Sequence, residues 1–120
     1  SRSEMQNDLK ERTNKFAISI IALVEKLPNT ISGRAIGNQL VRSGTSVAAN
    51  YMAASRARSD REFISKIGVV VEESGESGFW LELIGEKKWM EVSNLIKESN
   101  ELTAIFVSIV MKVKSRESKK

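Results

Sequence analysis

Apolar residues recur every three or four positions along most of the chain, which is the spacing that places side chains on one face of an α-helix. Pro28 interrupts the first such segment, because proline cannot continue a helix. The pattern predicts four helices, at residues 4–27, 33–57, 60–86 and 92–115. It therefore predicts a single all-α domain over residues 1–120, with a polar tail at residues 116–120.

The predicted third helix has the clearest start signal in the chain. Ser59 is followed three positions later by Glu62, and the apolar residue Phe63 comes next. A serine hydroxyl and a glutamate carboxylate at this spacing satisfy the first free amide groups of a helix, an arrangement known as a capping box. We therefore expect this helix to begin just after Ser59.

The third helix contains glycines, which lower helix stability by up to about 1 kcal/mol each relative to alanine. Spacings of seven, three and seven residues indicate one helical stripe, formed by Gly68, Gly75, Gly78 and Gly85. A second helix could approach such a stripe closely, and the expected counterparts are Ser43, Gly44, Ser46, Ala49, Asn50 and Ala53 of the second helix. We expect Gly75→Leu to force these two helices apart.

Asn50 lies among the small residues of the second helix, where two interpretations are open. A buried amide that bonds to backbone carbonyls would fix the helix register, and this is more common than an asparagine that contacts a ligand. Tyr51, its neighbour, is expected to place its ring in the core with the hydroxyl near the surface. We assign Asn50, with Arg42 on the same helix, to helix packing or a subunit interface.

The first helix carries apolar residues on more than one face, since Ile18 and Ile21 lie off its main apolar stripe. Phe79 and Trp80 are adjacent, so one of these two side chains must point away from the core of its own chain. Trp80 and Trp89 are either core residues or anchors of a subunit contact; we favour an interface for one of them and assign Trp80 to helix packing or an interface. Both features predict an oligomer of identical chains.

The sequence contains no cysteine and no histidine, which argues against disulfides, thiol nucleophiles and the commonest general base at neutral pH. Glu72 and Glu76 are one helical turn apart, but without histidine they indicate a solvated or salt-bridging face rather than a metal site. No segment has the pattern of a phosphate-binding loop, a signal peptide or a membrane span. The sequence thus predicts a cytoplasmic protein without enzymatic activity, metal, cofactor, small-molecule substrate or membrane contact.

The segment RSGTSVAANYMAASRARSDREFISKIGVVVEESGESGFWLEL, residues 42–83, resembles the four-helix-bundle family of proteins encoded by intervening sequences in bacterial 23S ribosomal RNA genes. The matching positions are Arg42, residues 46–50, Arg56, Arg58, Ser59, Glu62 and Phe63. The chain departs from many relatives after Asn50, where Tyr-Met-Ala-Ala replaces Ile-Ala-Glu-Gly. No role of that glutamate therefore carries over.

The resemblance implies an antiparallel up-down-up-down four-helix bundle that assembles into a ring of five and has no known catalytic residues. A related group serves as accessory proteins of diversity-generating retroelements, in which the ring binds a reverse transcriptase and its RNA. For this chain the resemblance implies a homopentamer, with a reverse transcriptase and RNA as candidate partners.

Charge is unevenly distributed along the chain, whose net charge is +4. Residues 34–71 hold six basic and two acidic side chains, residues 72–111 three and eight, and residues 112–120 five and one. In an antiparallel bundle, the start of the first helix, the joint between the second and third helices and the end of the fourth all lie at one end. We expect nucleic-acid-binding residues there, namely Arg12, Lys15, Arg56, Arg58, Arg61, Lys112, Lys114 and Arg116.

A basic end of the bundle has two interpretations. Basic residues near helix C-termini complement the helix dipole and improve solubility, so a protein-interaction scaffold without nucleic-acid binding is one alternative. In the other, the end surface binds a phosphate backbone, and cyclic symmetry adds the potentials of several copies on one side of a ring. We favour binding of RNA or DNA. Because no aromatic residue stands among the basic ones to stack on bases, we expect recognition to depend on shape and charge.

Overall fold

The computed structural model describes residues 2–119 as four α-helices joined by short turns. The helices are α1 (Arg2–Val24), α2 (Ile31–Ser55), α3 (Asp60–Glu86) and α4 (Ser93–Ser118). Each helix packs antiparallel on the next, in a bundle 53 Å long with cross-dimensions of 23 and 21 Å. The predicted all-α, up-down-up-down four-helix bundle is confirmed. Within these residues, no helix combines the length and the apolar character that crossing a membrane requires.

Helix boundaries differ from prediction where a turn or a cap outweighs the apolar pattern. α1 ends at Val24 rather than at residue 27, because the chain already turns there ahead of Pro28. α2 begins two residues earlier than predicted, because the Thr30 hydroxyl caps it by accepting from the Gly33 amide at 3.1 Å. α4 continues to Ser118 through most of the predicted polar tail, whose last residue lies outside the described part of the chain.

α3 begins at the predicted position. The Ser59 hydroxyl accepts a hydrogen bond from the Glu62 amide at 3.1 Å, as a capping box requires. The Glu62 carboxylate bonds back one residue earlier than in the usual capping box, since it accepts from the Arg58 amide at 3.4 Å. The cap therefore holds the backbone of Arg58 against the first turn of α3.

One apolar core runs through the bundle and takes side chains from every helix. Its largest fully buried apolar members are Phe16, Ile20, Leu40, Ile67, Leu81, Ile84, Leu102 and Phe106. Tyr51 lies in the core as expected, with its ring centroid 5.5 Å from that of Phe106. The Tyr51 hydroxyl donates to the Gln6 carbonyl at 3.1 Å, and burial raises the pKa of Tyr51. This bond ties the start of α1 to the end of α2.

The four glycines of α3 do not form the predicted single stripe. No atom lies within 4 Å of the position that a Cβ would take at Gly68 or Gly75, whereas Gly78 meets a serine hydroxyl of α4 at 3.0 Å and Gly85 meets a valine just before α4 at 3.1 Å. The three-residue step from Gly75 to Gly78 turns the helix by about 300°, which moves the second pair away from the first. The expectation that these glycines pack against α2 is wrong, and within one chain Gly75→Leu would force no helices apart.

The small residues of α2 divide between two neighbouring helices. Gly44 receives Ile20 of α1, whose two Cγ atoms lie 2.9 Å from the position of a Cβ on Gly44. Ser43, on the other flank, accepts a buried hydrogen bond from the Ser77 hydroxyl of α3 at 2.9 Å. The absence of a side chain at Gly44 thus leaves room for Ile20 of α1. On the other flank of α2, Ser43 and Ser77 form the contact with α3.

We expect Gly44→Ala to lower the free energy of unfolding, because the added methyl group would overlap Ile20. Overpacking costs about 1 to 3 kcal/mol, and alanine regains only about 1 kcal/mol in helix propensity. Urea unfolding followed by circular dichroism measures the change. In the control background Ile20→Ala both Cγ atoms are gone and only the Cβ remains, 3.1 Å from the added methyl position, so Gly44→Ala should destabilise the fold much less there. An equal loss in both backgrounds would show that this contact does not exist.

Candidate nucleic-acid interface

Two contacts fix which helix ends meet at the end of the bundle where α1 begins. Tyr51, near the end of α2, bonds to the backbone of Gln6 in α1. Arg116, near the end of α4, lies 3.9 Å from the carboxylate of Asp60 at the start of α3. The structure thus brings the joint between α2 and α3 and the end of α4 to one end of the bundle, beside the start of α1.

Six of the predicted binding residues lie at this end, and all six are exposed. We define the six as the basic pole: Arg56, Arg58, Arg61, Lys112, Lys114 and Arg116. Among residues 2–119, Arg116 is the one member within 4.0 Å of a carboxylate oxygen. The other cations of the basic pole therefore have no acidic partner in this part of the chain to displace when an anion binds.

Lys10 of α1 also lies close to the basic pole, although it was not among the residues named as binding nucleic acid. Lys10 borders a surface depression that is also lined by Tyr51 and Arg56, at the end of α2. The sequence places Lys10 near this end, because it belongs to the start of the first helix, which an antiparallel bundle brings beside the joint between the second and third helices.

Arg12 is not at the basic pole. Its Nε donates to Glu98 Oε2 at 3.1 Å, and its Nη2 donates to Glu98 Oε1 at 2.6 Å and to Glu101 Oε2 at 3.1 Å. The hydrogen bond to Glu98 is the largest cause that raises the pKa of Arg12. α1 and α4 otherwise contact each other much less than the other neighbouring helices do. Arg12 therefore links α1 to α4, and the structure gives it this role in place of the predicted one at the phosphate-binding end.

Lys15 also lies away from the basic pole. It is exposed on α1 and borders a groove between α1 and α4 that Met5, Leu9 and Ile105 line. Because Lys15 follows Arg12 by three residues, both side chains lie along this seam rather than at the end of the bundle. Both residues are therefore left out of the basic pole.

Arg42 links α2 to α3. Its Nη1 donates to Glu73 Oε2 at 2.9 Å, and its Nη2 donates to Glu76 Oε2. The same Glu76 oxygen accepts from Trp80 Nε1 at 2.9 Å. The Trp80 hydrogen bond is the largest cause of the lowered pKa of Glu76, and Arg42 lowers it further. Glu73 and Glu76 thus form a salt-bridging face, and no group of acidic side chains within residues 2–119 could hold a metal ion.

Phe79 is the member of the adjacent aromatic pair that points away from the core. It is 51% exposed, whereas Trp80 is partly buried against the core. Their rings meet edge to face with centroids 4.9 Å apart. The prediction that one of the two leaves the core is confirmed, but the exposed one is Phe79. Trp80 is a poorer interface candidate than predicted, because the core and Glu76 hold its indole in place.

Asn50 has the geometry of a packing residue. It is half-buried, and its amide nitrogen donates to the Ser46 carbonyl of its own helix at 3.0 Å. This is the backbone-bonded amide that the sequence favoured over a ligand contact.

Comparisons with known proteins agree with this architecture. The sequence profile of a family described as 23S rRNA-intervening sequence protein matches residues 5–109. The chain is also similar to a protein with unknown function from the S23 ribosomal protein family of Bacteroides thetaiotaomicron VPI-5482, whose crystal structure was solved at 1.70 Å resolution. The two are 29% identical, the similarity covers 88% of this chain and 97% of that chain, and the TM-score is 0.81. No curated protein matches the sequence.

We expect the free energy of unfolding to fall as the pH drops below about 4.5, in part because Glu76 becomes protonated. The pKa of this carboxyl is lower in the folded chain than its ordinary value of 4.5. Its contacts therefore stabilise the fold above that pH, and the contribution is lost as the pH falls through the folded value. Urea unfolding of wild type and Glu76→Gln at pH 7 and about pH 3 measures the effect.

Glu76→Gln should be less stable than wild type at neutral pH and should depend less on pH. The matched control is Glu72→Gln, one helical turn earlier on the exposed side of α3, which should keep the wild-type pH profile. If wild type and Glu76→Gln had the same pH profile, the Arg42–Glu76–Trp80 contact would have no role in stability.

Proposed function

Because the chain belongs to the 23S rRNA-intervening sequence protein family, we propose that it is a non-enzymatic, cytoplasmic, homo-oligomeric bundle that binds RNA or DNA through the basic pole. One observation carries the proposal: the fold gathers basic residues from the joint between α2 and α3 and from the end of α4 at one end of the molecule. Apart from Arg116, these cations form no ion pair with another residue of the described range 2–119.

Phosphate groups are the ligands that suit such a surface. Each lysine or arginine that contacts a phosphate releases counterions from the nucleic acid, which makes binding strong at low salt and weak at high salt. The basic pole contains no aromatic ring that could stack on a base. Recognition would therefore depend on charge and shape, with little preference for base sequence.

An oligomer would strengthen this effect. In a ring with cyclic symmetry every copy presents its basic pole on the same side, so that the electrostatic potentials add. We propose a pentamer, as the resemblance to the family implies. Exposed apolar side chains support an oligomer, since Ile18 is 67% exposed and Phe79 is 51% exposed on the surface of the single chain.

A narrower form of the proposal makes this protein the accessory subunit of a reverse transcriptase in a diversity-generating retroelement. It rests on the relation between the family and such accessory proteins, and on the suitability of a basic end surface for the RNA that such an enzyme uses. A reverse-transcriptase gene and a variable repeat beside this gene would support it. A position of the gene inside a 23S rRNA gene would contradict it.

The exposed apolar side chains also favour a second function, that of a protein-interaction scaffold. Phe79 and Met111 could dock a different protein, in which case the basic pole would only keep the protein in solution. The salt dependence of binding affinity distinguishes the two functions, because phosphate contacts weaken steeply between about 50 and 200 mM salt and apolar docking does not.

We expect replacement of Arg56, Arg58 and Arg61 by glutamine to weaken binding to RNA and DNA to a similar degree for unrelated sequences. The logarithmic salt slope should shrink by about one unit for each phosphate that the variant no longer binds. The fold and the oligomer should persist, because exposed substitutions usually change stability by less than about 0.5 kcal/mol each. Salt titrations of wild type and the triple variant, with two unrelated oligonucleotides, measure affinity and slope.

Lys26, Lys87 and Lys88 provide a matched control, because they lie at the opposite end of the bundle and their replacement by glutamine removes the same charge. That variant should bind almost as tightly as wild type. Equal weakening of the two triple variants would show that net charge alone drives association. An unchanged affinity of the arginine variant would rule out the α2–α3 joint as a binding surface and favour the scaffold.

A further inference from the structure

Large apolar side chains are exposed on one side of the bundle, along the seam between α1 and α2. Ile18 and Ile21 of α1 are 67% and 40% exposed. Ile21 lies on this side because it directly follows Ile20, which packs on Gly44 of α2. On the same side of the bundle, α2 contributes half-buried Val41 and Ala48 and the exposed Met52. We define the α1/α2 face by Ile18, Ile21, Val41, Ala48 and Met52.

A second apolar surface lies along the seam between α3 and α4. Phe79 is 51% exposed, and Met111 of α4 is 66% exposed. Gly75 belongs to this surface because it directly follows Ser74, whose hydroxyl lies 2.7 Å from that of Thr103 in α4. We define the α3/α4 face by Gly68, Gly75, Phe79, Val107 and Met111. Its two glycines have no neighbour within 4 Å of a Cβ position, so the helix backbone is open there, and Gly75 lies one helical turn before Phe79.

The two faces lie on opposite sides of the molecule, because each helix packs on the next in chain order. If each face paired with its own kind, the chain would need two different contacts to cover both. A single contact between the α1/α2 face of one copy and the α3/α4 face of the next covers both at once. Such a contact is heterologous, and its repetition can close into a ring.

The apolar residues of the two faces lie at matching heights along the bundle axis. Ile20 of α1 packs on Gly44 of α2, and the residue before Gly44 bonds to Ser77 of α3, so these residues mark one height. Because α1 and α3 run in the same direction, Ile18, two residues before Ile20, lies at about the height of Gly75, two residues before Ser77, and Phe79 lies about 6 Å further along the axis, at 1.5 Å per residue. A rotation about an axis parallel to the bundle keeps heights unchanged, so Ile18 of one copy would meet the α3/α4 face of the next at Gly75, one helical turn before Phe79.

Charge and the ends of the faces agree with this register. Arg34 lies one heptad before the first α2 member of the α1/α2 face, and Glu82 lies one heptad after the second glycine of the α3/α4 face. All three residues, Arg34, Glu82 and Glu86, are exposed and lie toward the end of the bundle opposite the basic pole. Met52 and Met111 both lie toward the ends of their helices, next to the basic pole. Opposite charges thus face each other at one end, and methionines at the other.

We propose that the α1/α2 face of one copy binds the α3/α4 face of the next copy in the same axial direction. Ile18 then packs on the open backbone at Gly75, one helical turn before Phe79, and Arg34 faces Glu82 and Glu86. The inference rests on the proposed homo-oligomer and assigns it a head-to-tail contact. A second copy of this chain, rather than a different protein, covers the apolar side chains that the core leaves exposed. Every basic pole lies on the same side of the assembly.

Cysteine cross-linking tests the proposal, since the natural chain has no cysteine. Ile18→Cys and Phe79→Cys are prepared as separate proteins, mixed after dissociation, reassembled and treated with a short bismaleimide. Denaturing gels should show a cross-linked dimer in the mixture and only monomer in each single variant. The double variant, which carries both cysteines in one chain, should give a ladder that ends at the number of copies in the ring.

A matched control replaces Ile18→Cys by Gln39→Cys, which is exposed on the flank of α2 next to α3. Mixed with Phe79→Cys, it should give no cross-linked dimer. Cross-linking of Ile18→Cys or Phe79→Cys to itself would overturn the head-to-tail contact in favour of a two-fold one. An oligomer by light scattering without the expected cross-link would overturn the assigned faces and leave the oligomer standing. A monomer at micromolar concentration would remove the proposed oligomer as well.

Charge exchange tests the same contact without bulky changes in the apolar part. Arg34→Glu in the Ile18→Cys protein should lower the cross-linked fraction severalfold, because it places three carboxylates together. Glu82→Arg with Glu86→Arg in the Phe79→Cys protein should restore it when the two are mixed. Recovery in this pair alone supports the register. Equal yields in all combinations would show that these charges do not meet, and would overturn the proposed register.

Discussion

The antiparallel packing of each helix on the next determines which charges meet in this protein. The core contacts that set this packing are short and specific, as where Ile20 of α1 enters the space above Gly44 of α2. On the other flank of α2, Ser43 and Ser77 fix the height of α3 by a buried hydrogen bond. A shift in either contact would move the helix ends relative to one another. The basic pole exists because these contacts bring the ends of α2 and α4 to the same end of the bundle.

The arginines fall into two groups according to what this packing places beside them. Arg12 and Arg42 each bind two carboxylates of another helix and so link α1 to α4 and α2 to α3. Exposed ion pairs of this kind are screened by solvent and contribute little to stability, so their main effect is on which anions these arginines can bind. A phosphate would have to displace carboxylates from Arg12, whereas Arg58 has no carboxylate within 4.0 Å among residues 2–119. The difference supports the ends of the helices, and not their sides, as the nucleic-acid surface.

Sequence patterns predicted the features that depend on neighbours along the chain. Apolar periodicity indicated four helices, and the capping box at Ser59 located the start of α3. Contacts between helices were harder to predict, because they depend on register and on which neighbour a face meets. The spacing of the α3 glycines indicated one stripe, but not that Gly68 and Gly75 are open whereas Gly78 and Gly85 meet other side chains. The charge of Arg12 indicated an anion partner, but the partner is Glu98 of a helix distant in sequence. Adjacent aromatic residues indicated one exposed ring, and the Glu76 hydrogen bond to Trp80 decides that it is Phe79.

Lysine footprinting with and without RNA tests most directly the central claim that nucleic acid binds at the basic pole. The chain carries exposed lysines at both ends of the bundle, Lys112 and Lys114 in the basic pole and Lys87 and Lys88 at the other end. Acetylation of each lysine is quantified by mass spectrometry at low salt. The account predicts that RNA protects Lys112 and Lys114 and leaves Lys87 and Lys88 almost unchanged. Equal protection at both ends, or protection of Lys87 and Lys88 alone, would contradict it.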